Sequence, residues 1–167
     1  MPFVFAYGSL MSDNALGHLQ PRPARLAGWH RAFNHRSVLR WGRPEQPCPI
    51  LGLLPGGDCW GLAFELPGER ERSTLRMLAR REAAAEYERR PLAVQLVGGG
   101  VPAWVALSRP EHAHGHDDDL DALAASLRAA HGVVGTGSEY VRGLAHALEQ
   151  HELRDALVES LWCRLGG

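Results

Sequence analysis

The strongest constraint on this chain is a change of hydrophobic period along its length. Through about residue 107 the apolar residues form short runs broken by Gly and Pro, whereas the last third repeats them every three or four residues. Strands first and helices mostly afterwards, with no strand-helix-strand rhythm, predict an α+β fold on an antiparallel or mixed sheet. At 167 residues the chain suits one domain spanning residues 1–167.

The first apolar run, Phe3 to Ala6, ends at Tyr7-Gly8-Ser9 and predicts a strand entering a tight turn. Leu26 to Phe33, Pro49 to Leu54 and Cys59 to Leu66 are further strand candidates, the last stopped by Pro67-Gly68. Leu92, Val94 and Leu96 alternate, and Gly98-Gly99-Gly100 turns that strand into Val101 to Leu107, a hairpin. Glu69 to about Glu82 carries Leu75 and Leu78 on one helical stripe. Asp117 to His131 predicts a helix with aspartates in its first turn and Gly132 at its end. Ser138 reads as the N-cap of the next helix, and Glu152 to Leu165 as the last.

Composition excludes several chemistries. All 18 basic residues are Arg, so a Schiff-base lysine, pyridoxal phosphate attachment and the Walker A lysine are ruled out. A formal net charge of −1 predicts neither nucleic acid nor an anionic membrane as partner. No run of about 18 apolar residues is present, and Met1 to Ala6 lacks the flank of a signal peptide, so the expected location is the cytoplasm. Cys48, Cys59 and Cys163 have no C-x-x-C spacing and read as buried reduced thiols. No G-x-S-x-G elbow exists for a serine hydrolase.

Glu82 is the most informative position. Seven residues of helix turn the chain by about 700°, so Leu75, Leu78 and Glu82 share the inward face. A carboxylate there is desolvated, its pKa raised, and it becomes a better base. The competing reading has the helix fray before residue 82, leaving Glu82 a solvated cap or a partner of Arg80 or Arg81. The Tyr7-Gly8-Ser9-Leu10 turn can aim backbone N–H groups at a ligand, or can be only a turn. His112, His114 and His116, followed by three aspartates, have the chemistry of metal ligands but read as a surface loop, so no metal site and no cofactor are expected.

Taken in order, these residues resemble the γ-glutamylcyclotransferase superfamily, and most of all its ChaC branch, which acts on glutathione. The resemblance runs from Val4-Phe5-Ala6-Tyr7-Gly8-Ser9-Leu10 through Arg31-Ala32-Phe33, Arg43-Pro44 and Leu51 to Pro55. It continues in Cys59 to Leu66, in Leu78-Ala79-Arg80-Arg81-Glu82 and in Gly135 to Tyr140. It implies a small mixed β-barrel with flanking helices and a cofactor-free cyclisation of a γ-glutamyl compound to 5-oxoproline. It further implies Glu82 as general acid and base, Gly8 to Leu10 as the cradle of the γ-glutamyl group, and Tyr7 and Tyr140 as pocket walls. The alternative is a non-catalytic module of the same fold, binding a γ-glutamyl compound or linked to a cation through the His-rich stretch. The sequence leaves the oligomeric state open.

Overall fold

A computed structural model describes residues 2–83, 87–109 and 119–167. Its strands are β1 (Phe3–Ala6), β2 (Pro21–Ser37), β3 (Cys48–Glu65), β4 (Tyr87–Leu96) and β5 (Gly99–Ser108). They close into a barrel in the order β1-β3-β2-β4-β5. Neighbours are antiparallel except β1 and β5, where Phe3 pairs with Ala103 and Phe5 with Val105 in parallel. The barrel is therefore mixed, as expected. Its interior is apolar because β1 is buried throughout and the other strands send alternate residues inward, among them Leu26, Leu62, Val94 and Val105.

The two strands expected at Pro49 to Leu54 and Cys59 to Leu66 are one strand, β3. Pro55-Gly56-Gly57 does not break it, because Gly56 and Gly57 adopt φ of +104° and +67° opposite Gly28 at φ +81°. The ladder passes from Trp29/Pro55 to Ala27/Asp58 across that irregularity. A second irregularity matters more for function. Ala32 pairs with Gly52 and His35 with Ile50, so two residues of β2 face one of β3, Leu51.

Helix α1 (Gly68–Ala83) joins β3 to β4, and α2 (Leu120–Ala129), α3 (Gly137–Gln150) and α4 (Ala156–Leu165) follow β5. Leu123 and Leu127, Val141 and Leu144, and Val158 and Leu161 are the buried stripes of the last three. Their boundaries differ from the sequence reading. The cap of α3 is Thr136, not Ser138: Thr136 Oγ1 accepts from Glu139 N–H at 3.1 Å while Glu139 Oε2 accepts from Thr136 N–H at 2.8 Å, a capping box. The last helix starts at Ala156 because Glu152 has φ +56° and the Asp155 side chain caps Val158 N–H at 3.1 Å. Helix α2 ends at Ala129, ahead of Gly132, whose role is close approach: a Cβ there would stand 2.4 Å from the Arg40 carbonyl.

Arg31, buried in β2, pins helices to barrel. Its Nε donates to the Tyr7 carbonyl at 2.8 Å, Nη2 to the Trp60 carbonyl at 2.6 Å and Nη1 to Asp155 at 2.8 Å. The end of β1, the middle of β3 and the cap of α4 thus converge on one guanidinium. No helix among the described residues is long and apolar enough to cross a membrane.

Candidate active site

Beyond β1 the chain turns at Gly8 (φ −118°, ψ −145°) into a single 3-10 turn, Ser9–Met11. Its first bonds run from Met11 N–H to the Gly8 carbonyl, at 2.9 Å, and from Ser12 N–H to that of Ser9, at 3.2 Å. The N–H groups of Ser9 and Leu10 precede those bonds and have no acceptor within the turn. They lie where β1 ends, at the rim of the barrel.

The Leu51 irregularity supplies the opposite wall. Its ladder partner is missing, so its N–H donates to the Tyr140 hydroxyl at 3.0 Å and its carbonyl accepts from the Tyr87 hydroxyl. Two tyrosines from distant parts of the chain are thereby fixed on the backbone of one residue. Tyr140 is fully buried, and burial pushes its hydroxyl pKa upward, against the lowering effect of the Leu51 N–H. The hydroxyl stays protonated and, having accepted from Leu51, retains its own proton to donate. A Cβ on Gly8 would lie 3.6 Å from that oxygen, so turn and tyrosine face each other. Tyr7 donates its hydroxyl to the Ala106 carbonyl at 2.8 Å.

Between them lies a cavity of about 120 Å³. Tyr7, Gly8, Ser9, Leu10 and Tyr140 all line it, together with Ile50, Leu51, Tyr87 and the segment Ser37 to Trp41. Leu78 and Arg81 of α1 line it too. Helix α1 continues through Ala83, so it does not fray before Glu82. Glu82 sits one turn beyond buried Leu78, on the same side of the helix to within about 40°. The Glu82 side chain lies outside what the structure describes.

Arg81 Nη2 donates to Ser9 Oγ at 2.8 Å and Nη1 to Asp13 Oδ2 at 2.5 Å, which ties the end of α1 to the turn. Arg40 Nη2 reaches the same Asp13 oxygen at 3.0 Å. Burial raises the Asp13 carboxyl pKa, but the Arg81 bond and charge, the Ala15 N–H and Arg40 outweigh it and hold the carboxyl below its ordinary range. Asp13, Arg40 and Tyr87 are absent from the sequence reading. Only Asp13 has a local signal, as the cap that accepts from Ala15 N–H at 2.7 Å.

His112, His114 and His116 lie outside the described residues. Among the described residues no group of three or more His, Cys, Asp or Glu is placed to hold a metal ion. Cys48 and Cys59 are buried, and burial raises their thiols to about 12 and about 11. Cys163, expected to be buried, is exposed because it falls on the outer side of α4.

The closed mixed barrel with its flanking helices has the γ-glutamylcyclotransferase fold. A crystal structure of a γ-glutamyl cyclotransferase specific to glutathione from yeast superposes with a TM-score of 0.88 at 20% identity, covering 98% of this chain and 95% of the other. This chain belongs to the ChaC-like protein family, whose model matches residues 2–164. A glutathione-specific γ-glutamylcyclotransferase of Escherichia coli K12 is 33% identical over 157 residues, 92% of this chain and 68% of the relative. A glutathione-specific γ-glutamylcyclotransferase 1 of Danio rerio is 30% identical over 83 residues, 48% of this chain and 42% of the relative.

Proposed function

We propose that residues 1–167 form one domain that cyclises the γ-glutamyl group of glutathione, or of a related γ-glutamyl peptide or amine, releasing 5-oxoproline and the amine. The observation that carries this is the shared cavity: the Tyr7 to Leu10 turn, Tyr140, and Leu78 and Arg81 of the helix that carries Glu82 all line it. The family membership and the named activity of the bacterial relative support it.

In this reading the N–H groups of Ser9 and Leu10 and the Tyr140 hydroxyl hold the γ-glutamyl group with its chain folded back on itself. The α-ammonium gives a proton to Glu82, and the freed amine attacks the γ-carbonyl carbon of the same molecule. The carbonyl oxygen becomes an oxyanion and takes hydrogen bonds from donors already in place. As the intermediate collapses, the bond to the leaving nitrogen breaks and Glu82 returns the first proton to that nitrogen. Glu82 then relays the second proton of the attacking nitrogen to it, so that a neutral lactam and an ammonium leave. An intramolecular attack draws most of its acceleration from holding amine and carbonyl together, which suits a largely apolar cavity at the barrel rim.

The test is 5-oxoproline release from glutathione and from γ-glutamyl dipeptides, with and without a chelator, for the parent and Glu82→Gln. The parent is expected to release product in both conditions, and the near-isosteric Gln variant to lose about 10²- to 10⁴-fold in turnover while melting as the parent does. Glu82→Gln activity within a few-fold of the parent overturns the assignment of the base. No product from any γ-glutamyl donor overturns the enzyme and leaves a binding module.

A further inference from the structure

We propose that Arg40 is a specificity-determining residue that binds a carboxylate on the departing half of the substrate, so that anionic leaving groups are preferred to neutral ones. The inference rests on the cyclotransferase reading above and adds to it which donor is chosen.

The argument starts from charge. Among the described residues lining the cavity, the only charged side chains are Arg40 and Arg81, both cations. Their guanidiniums share a single acceptor among the described residues, Asp13 Oδ2, at 3.0 and 2.5 Å, while the carboxylate of Glu82 is assigned in the reading above to the substrate's α-ammonium. With its α-ammonium on Glu82 and its carboxyl oxygens on the donors of the turn, the γ-glutamyl half brings no further anion to Arg40. A carboxylate on the leaving amine does.

The two arginines are not equivalent. Arg81 spends its donors on Ser9 and Asp13 and is committed to holding the turn. Arg40 has the one bond to Asp13, and its Nε is buried with no acceptor among the described residues. That nitrogen is closed to solvent, so a ligand meets the accessible remainder of the guanidinium, the Arg40 side chain being 35% exposed. Burial and the neighbouring Arg81 both disfavour the Arg40 charge, with Asp13 opposing them, and an incoming carboxylate adds to that opposition.

Arg40 is also held in place. The carbonyls of Leu39 and Arg40 accept from the N–H groups of Val133 and Val134 at 2.9 and 2.8 Å, and Trp41 packs edge-on against Tyr140 at 5.4 Å between ring centres. The segment is therefore fixed over the same tyrosine that faces Gly8. Val38 and Leu39 beside it offer an apolar surface for the part of a leaving group between the scissile amide and its carboxylate. A guanidinium so mounted suits a planar carboxylate better than an ammonium does.

The experiment compares glutathione with glutathione C-terminal amide as substrates for the parent, Arg40→Lys and Arg40→Gln. The parent is expected to favour the acid about 10- to 100-fold in kcat/KM, the range for a hydrogen bond to a charged group. Arg40→Gln should bring that ratio close to one, with the loss carried by KM on the acid, and Arg40→Lys should fall between. A parent that turns over acid and amide equally overturns the proposal, as does an Arg40→Gln variant that loses both in equal proportion. If the parent processes neither, the cyclotransferase reading itself has failed, an outcome separate from a lost preference.

Discussion

Removing one oxygen tests the site most directly, because Tyr140 holds both fold and cavity. Its hydroxyl accepts the Leu51 N–H at 3.0 Å at a point where β2 gives Leu51 no ladder partner. Tyr140→Phe keeps the ring, its contact with Trp41 and the packing of α3, and strands that N–H in a fully buried position. An unsatisfied buried donor costs about 1–3 kcal/mol. For a chain of this size each kcal/mol moves Tm by about 2–4 °C, so a fall of roughly 2–12 °C is expected in calorimetry. The same hydroxyl proton faces Gly8, where the γ-glutamyl group is proposed to bind. Losing a donor worth about 1–3 kcal/mol in the transition state lowers kcat/KM roughly 5- to 160-fold in the 5-oxoproline assay. An unchanged Tm refutes the Leu51 argument. A normal kcat/KM in a destabilised variant refutes the hydroxyl as a substrate contact and leaves it a structural device.

Gly8 has a negative φ of −118°, and a Cβ there meets the Tyr140 hydroxyl at 3.6 Å, a van der Waals distance, so Gly8→Ala and Gly8→Val should fold with Tm near the parent. Their added carbons occupy the cavity, so the thermal shift given by 5-oxoproline should shrink in Ala and vanish in Val; a normal shift in Val places the pocket elsewhere. Asp13 is held below its ordinary value of 3.8, so its stabilisation is complete above that value and lost as pH falls through the folded-state one. The stability gap between parent and Asp13→Asn should therefore be flat from about pH 5 to 7 and close below about pH 4; a gap independent of acid contradicts the pairing. Of the three thiols only exposed Cys163 should react promptly with an aromatic disulfide reagent at neutral pH, with Cys48 and Cys59 released by denaturant. Two fast thiols per folded chain would contradict the burial.

What the sequence determined by itself is everything that rests on neighbours in the chain. Hydrophobic period separates the strands from the helices, the apolar run ending at Gly8 marks the turn, and the Leu75-Leu78 stripe sets the side of α1 on which Glu82 falls. Even where local reading slipped, at the Ser138 cap, the correct signal was local: Thr136 and Glu139 stand three apart as a capping box requires. Tertiary structure alone decided the rest. Leu51 meets Tyr140 across 89 residues, and Asp13 meets Arg40 across 27 and Arg81 across 68. These meetings depend on which strands close the barrel and where its ladder slips by one residue, and periodicity carries no record of register between distant segments. The charge of the cavity follows from that closure, since an arginine on a loop and an arginine on a helix acquire a common function only once the fold has set one carboxylate between them.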